Sequence, residues 1–187
     1  MKITSGRNAL PRLASRYLAR TLAAAACMLG AVGLLGLAGA RVNTTKSIAL
    51  GLYWTSDRPM QKGEYVLLCP PPVGVIEEAR RRGYLATGFC PGGYGYMMKR
   101  ILAAGGDSVT MGASGVRVNG LLLPHSAPLP ADLAGRPMPR FRADRYVLGA
   151  AEVLLLSDVS STSFDGRYFG PVGRTQVRTV IVPVLTW

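Results

Sequence analysis

YGYMMKRILAAGGD, residues 94–107, is the stretch on which the reading of this chain turns. One lysine, Lys99, stands behind two tyrosines and two methionines and ahead of an apolar run that closes on Gly105, Gly106 and Asp107. The run reads as a strand, but its alternation is too poor to assign Lys99 to one face. Burial disfavours an ammonium and can carry a lysine pKa from about 10.4 towards 7, a change of roughly 4 kcal/mol in differential interaction. The product is a base usable at neutral pH. The competing reading is a lysine at a strand end that snorkels its charge into water. This stretch alone favours the second, so the decision rests with the rest of the chain.

Working outward, 187 residues suffice for one domain and a short appendage. Apolar residues make up 49% and mean hydropathy is +0.22, which directs attention to a membrane segment. Formal net charge is +12, yet five of the 22 basic residues (Lys2, Arg7, Arg12, Arg16 and Arg20) lie in the first 20 residues, and the first acid is Asp57. Without those five, 17 basic residues face 10 acidic ones, a net +7. No nucleic-acid motif or basic–aromatic ladder accompanies this charge, so no nucleic-acid partner is expected and the attraction is read as one to a lipid bilayer.

Residues 21–40, TLAAAACMLGAVGLLGLAGA, carry no charge and lie between Arg20 and Arg41. That length matches a single transmembrane helix, and the basic flank before it predicts a cytoplasmic N-terminus (1–20) with residues 41–187 facing outward. AGA at 38–40 resembles a signal-peptide cleavage site, but the apolar core is longer than a usual signal segment, so an uncleaved anchor is preferred. Beyond it the chain reads as mostly β. GEYVLLC (63–69), YVLGAAEVLLLSD (146–158) and VRTVIVPVLTW (177–187) are strand candidates, and VIEEARRRG (75–83) is the one short helix. VRVNGLLL (116–123) is a hairpin, with Asn119-Gly120 suited to a type I′ turn. Five prolines make 124–140 an ordered loop, where His125, the only histidine, reads as a turn residue. Cys27 falls in the apolar run. Cys69 and Cys90 form a disulfide if the domain lies in an oxidising compartment and are ordinary buried thiols if it lies in the cytosol. Two thiols and one histidine give no metal site, and no cofactor is called for.

Two further stretches are rich in hydroxyls: NTTKSIALGLYW (43–54) and SDVSSTSFDGRYFG (157–170). Such runs are usually turns and caps. A serine needs a base to become a nucleophile, and a desolvated lysine is one known solution. Spacing alone does not bring Ser47 to Lys99.

The three stretches, in this order behind an N-terminal anchor, resemble the serine/lysine signal peptidases of the type I superfamily. SIALG (47–51) is similar to that family's nucleophile box, KRILAAGGD (99–107) to its lysine-arginine box ending in Asp107, and SDVSSTSFDGRYFGPV (157–172) to its third box. The phrases NTTKSIALGLYWTS, GFCPGGYGYMMKR and SDVSSTSFDGRYFGP resemble the conjugative-transfer, TraF-type branch. The resemblance implies a signal-peptidase-like β domain with Ser47 as nucleophile and Lys99 as neutral general base. It implies that Ser163 orients the Lys99 amine, and that the Ser47 backbone N–H, with the Thr45 hydroxyl, binds the oxyanion. Asp165 resembles the box aspartate tied to activity in this branch, and a structural pairing with Arg167 is an equal alternative. Asp158 is read as structural. The chain departs from the pattern at Ala49, where proline is usual, and at Ser157 and Gly166.

The expected function is that of a bacterial inner-membrane serine endopeptidase with its catalytic domain facing the periplasm. Its partners are an exported precursor, most simply a conjugative pilin, the bilayer and conjugative transfer machinery. The branch is associated with trimming a C-terminal peptide and joining the ends of the pilin. Ser47 lies seven residues past Ala40, a reach of at most about 25 Å, so the nucleophile is expected near the membrane surface. Met97 and Met98 are expected to keep Lys99 dry, and the Lys99 strand to be the edge that receives the substrate as an added strand. The alternatives are a general type I signal peptidase and a non-catalytic component of a secretion apparatus.

Overall fold

The computed structural model describes residues 9–187, with side chains from residue 15 onward. The chain divides into two units, one ending at Ala40 and one spanning Arg41–Trp187. The first is a helix, α1 (Ala9–Leu37), in which Ser15–Leu37 is long and apolar enough to cross a membrane. It begins ahead of the uncharged run, and the helix stops three residues before that run does. Its apolar side chains, Leu22, Met28, Leu29 and Leu34 among them, are exposed, the pattern expected of either a membrane anchor or a signal segment.

The second unit is mostly β. In chain order it comprises β1 (Ala40–Asn43), β2 (Gly51–Ser56), β3 (Tyr65–Leu68), α2 (Gly74–Arg81), β4 (Thr87–Cys90), β5 (Met97–Ala104), β6 (Ser108–Gly112), β7 (Gly115–Val118), β8 (Leu121–Leu122), β9 (Ala143–Val147), β10 (Glu152–Leu156), α3 (Gly166–Phe169), β11 (Val172–Gly173) and β12 (Val177–Thr186). Seven strands form one sheet in the order β1-β2-β12-β3-β5-β10-β11, and four form another in the order β8-β7-β6-β9.

The long, β-branched β12 is the spine of the large sheet, pairing antiparallel with β2 on one side and β3 on the other. Its register against β2 shifts between Pro183 and Leu185, where proline supplies no N–H to the ladder. At Asn119 (φ 50°) and Gly120 (φ 83°) the left-handed pair closes the tight turn that joins β7 to β8. α2 buries Ile76 and Ala79, with Glu77 in its first turn and Arg80 and Arg81 in its last, matching the helix dipole.

The structure differs from the sequence reading at three places. Residues 146–158 are two strands, not one, because the chain turns at 148–151 with the Glu152 N–H bonded to the Gly149 carbonyl. α3 adds a second short helix to the domain, capped by Asp165. Finally, β5 alternates strictly in burial and lies inside the sheet: β3 pairs with it from Met97 to Arg100 and β10 from Arg100 to Ala104. It is not an edge strand. Only its first residues, past the end of β10 at Leu156, have one side free of a strand partner.

Candidate active site

The alternation of β5 puts Lys99 on the buried face between Met97 and Ile101, with 3% of its surface exposed. Met98, on the other face, packs against the cluster of Ile48, Tyr53, Leu67 and Ile181, beneath the residue that follows Ser47. Met97 therefore shares the buried face of Lys99, whereas Met98 lies on the other, and both line the same cavity as Lys99. The Lys99 Nζ donates to Ser163 Oγ at 2.7 Å. Burial lowers the Lys99 pKa to about 8, opposed by the charge of Asp165 and reinforced by that of Arg167. A neutral amine that donates one hydrogen to Ser163 keeps its lone pair for another partner.

Ser163 is held by a buried ion pair. The Asp165 carboxylate, fully buried, caps α3 through the Arg167 N–H at 3.2 Å and accepts from the Ser157 N–H at 2.9 Å and the Arg167 guanidinium at 2.7 and 2.8 Å. That guanidinium, 1% exposed, also donates to the carbonyls of Ser160, Ser161, Ser163 and His125. Asp165 thus touches neither Ser47 nor Lys99 and fixes the loop that presents Ser163. Asp158 accepts from the Tyr65 hydroxyl at 2.7 Å and from Arg100 at 3.0 Å, tying β3 and β5 to the same loop. Asp107 stands at the far end of β5, bonded to the Ala104 N–H, Lys62 and Asn119, where it closes the turn into β6.

Ser47 lies on the turn between β1 and β2, with its Oγ 2.8 Å from the Thr45 Oγ1. Thr45 Oγ1 in turn donates to the Asn43 Oδ1 at 3.0 Å. Among the described residues the Ser47 N–H has no protein acceptor, so it is available to a ligand. Thr45, Ser47, Lys99 and Ser163 all line one cavity of about 390 Å³. Val42, Tyr84, Leu85, Met97, Met98 and Phe164 supply its apolar walls; Thr44, Ser160 and Thr162 its polar ones. Ser47 and Lys99 face this common space without a hydrogen bond between them, and Asp107, Asp158, Asp165 and Arg167 lie outside it. Among the described residues no three His, Cys, Asp or Glu side chains gather as a metal site would require.

Residues 17–186 match the family described as signal peptidase, peptidase S26. The chain belongs to this family. A plasmid transfer protein TraF of Escherichia coli is 67% identical over 155 residues, 83% of this chain and 88% of that protein. A conjugal transfer protein TraF of Agrobacterium fabrum is 34% identical over 178 residues, 94% of this chain and 99% of that protein. A crystal structure of a signal peptidase I from Enterococcus faecalis aligns with 68% of this chain and 100% of its own, at 16% identity and a TM-score of 0.41. The chain is a signal-peptidase-like protein of the kind found among conjugation proteins.

Two features of this signal-peptidase domain were only partly legible in the sequence. Cys69 and Cys90 are joined in a disulfide that ties the end of β3 to the end of β4, just ahead of the segment leading into β5. Gly95 in that segment bonds the Ala86 carbonyl through its N–H at 2.7 Å, and a Cβ there would lie 3.1 Å from that oxygen, so a larger residue would press the two segments apart by a few tenths of an ångström. The second feature, Asn43, was missed. Its signal was present: a short amide four residues ahead of a serine, in a run of turn-forming residues.

Proposed function

We propose that the chain is a membrane-anchored serine endopeptidase in which Ser47 attacks and Lys99 is the general base. The observation that carries this reading is a buried lysine, with its pKa lowered to about 8, sharing one cavity with a serine whose backbone N–H is unoccupied. A peptide carbonyl enters the cavity and Ser47 Oγ adds to its carbon as the hydroxyl proton passes to the Lys99 Nζ. The Ser47 N–H stabilises the developing oxyanion, a contribution of about 3 kcal/mol for such a donor. Ser163 holds the amine in place, and the resulting ammonium returns its proton to the leaving amine as the peptide bond breaks. Water, or the amine of another chain end, then resolves the acyl-serine.

The relatives support the substrate class. Proteins named for plasmid and conjugal transfer support an exported precursor of a conjugative apparatus, most simply its pilin, trimmed near the C-terminus and open to cyclisation by an incoming α-amine. The apolar helix supports an inner-membrane anchor, and the basic segment ahead of it supports a periplasmic catalytic domain. Precursor processing in membranes carrying Ser47→Ala or Lys99→Ala tests the dyad, with loss of processing expected in both. Normal processing by either variant defeats it. The mass of the matured product separates trimming from cyclisation, since ring closure removes one further water.

A further inference from the structure

We infer that Asn43 is the positioning residue of the nucleophile turn, setting both the shape of that turn and the direction in which the Thr45 and Ser47 hydroxyls donate. The inference rests on Ser47 being the nucleophile.

Asn43 ends β1, four residues before Ser47, and only 3% of its surface is exposed. Its Nδ2 lies 2.8 Å from the Thr45 carbonyl oxygen and 3.0 Å from those of Ile48 and Ala49. Its Oδ1 accepts from the Thr45 N–H at 3.2 Å and the Thr45 hydroxyl at 3.0 Å. The amide's orientation is therefore fixed by chemistry: reversed, it would set an oxygen against three carbonyl oxygens. One side chain thus grips the turn on both sides of Ser47.

The hydroxyl protons follow from this. Asn43 Oδ1 can only accept, so the single Thr45 hydroxyl proton points at it. Thr45 Oγ1 then meets Ser47 Oγ with a lone pair, and in the resting site Ser47 is the donor of that 2.8 Å bond. Attack requires the Ser47 proton to swing from Thr45 to the Lys99 amine. Asn43 fixes the starting point of that swing.

Asn43 also supplies what the turn lacks. Ala49 occupies the position where the family pattern has proline, and its carbonyl is held by the Asn43 amide and by the Tyr53 hydroxyl at 2.8 Å. Aspartate keeps the shape but loses both donor hydrogens, and serine or threonine cannot span from Thr45 to Ala49.

The test is pre-steady-state acylation of the full-length protein in detergent by a 4-nitrophenyl ester. Ser47 Oγ takes the acyl group, the aryl C–O bond breaks, and 4-nitrophenolate is released while the serine proton goes to Lys99. The burst amplitude counts competent sites and the burst rate constant reports the chemistry at each. Asn43→Asp is expected to lower the rate constant at saturating ester about 100-fold, the scale set by misplacing a reacting group by about 1 Å. Amplitude and half-saturation should stay within threefold of wild type. A purely structural residue would instead lower the amplitude and leave the rate constant alone, and that result overturns the proposal. So does an Asn43→Asp rate constant within threefold of wild type.

A second comparison uses Asn43→Ala with and without Ala49→Pro. Among the described residues the Ala49 N–H has no acceptor, and its φ is negative, so a proline there removes no hydrogen bond seen among them and stiffens the carbonyl that Asn43 had held. At least a tenfold recovery is expected, and equal rates in the two chains overturn the proposal. A wild-type burst that is absent, or that persists in Ser47→Ala, defeats the serine–lysine reading itself and is thereby distinguished from a failure of Asn43.

Discussion

Replacing Lys99 by methionine should stabilise the β domain at neutral pH and abolish its chemistry, and the stabilisation should vanish in alkali. The magnitude follows from the burial of Nζ. Lowering the pKa from 10.5 to about 8 means that a folded, charged Lys99 costs about 2.5 pKa units, or roughly 3 kcal/mol. Below pH 8 folded and unfolded chains both hold the proton, so the full cost is present. Between about 8 and 10.5 the unfolded chain keeps the proton that the folded chain has released, so wild-type stability rises with pH across that window. Methionine has similar bulk and no charge, but it forfeits the hydrogen bond to Ser163, about 1 kcal/mol. The net expectation is a variant more stable by about 2 kcal/mol at pH 7 and equal to wild type near pH 10. Urea unfolding of the full chain in detergent, followed by the fluorescence of Trp54 and Trp187, reads both values. Two stability curves that run parallel in pH, or a variant less stable than wild type at pH 7, would refute the claim that the amine is buried at a cost.

Asp165→Asn should leave the Arg167 guanidinium buried without its counter-ion, at a cost of about 3–5 kcal/mol in thermal or urea unfolding. In the protein that remains folded it should move the Lys99 titration below 8, because the Asp165 charge is what holds that pKa up. An unchanged stability would show that the pair does not carry the loop. Separately, Cys69→Ser with Cys90→Ser should cost about 3 kcal/mol for a loop of this length, and the untreated protein should weigh about 2 Da less than its reduced form. Two free thiols in freshly isolated protein would contradict the bridge.

The β character of the domain, the helix α2 and the hairpin at Asn119-Gly120 were legible because each rests on local chemistry: periodicity, charge placement and a turn that tolerates positive φ. The face of Lys99 was not. β5 lies between β3 and β10 and packs on both sides, so Met98, Arg100 and Leu102 are half-buried and the period of two disappears from the composition. Residues 146–158 looked continuous because Leu148 is apolar and buried although it sits in a turn, where its backbone bonds Gly106 and Asp107. α3 was hidden in a hydroxyl-rich run whose helix is only four residues long and held by Asp165. Within the site, Ser47, Lys99 and Ser163 stand in stretches whose residue types are unusual, and these three reach one cavity. Asn43 escaped notice because its role lies in five short contacts to the backbone and hydroxyl of its own turn, which no spacing rule encodes.

The most direct test of the serine–lysine site is the pH dependence of Ser47 acylation by an activated ester, with the modified residue located by mass analysis. An amine of pKa about 8 is roughly 10% neutral at pH 7, some 300-fold more than an unperturbed lysine. Labelling should therefore fall on Ser47, rise with pH to a plateau through an apparent pKa about 8, and disappear in Lys99→Ala. Labelling that persists in Lys99→Ala, or a profile that breaks only near 10.5, would contradict it.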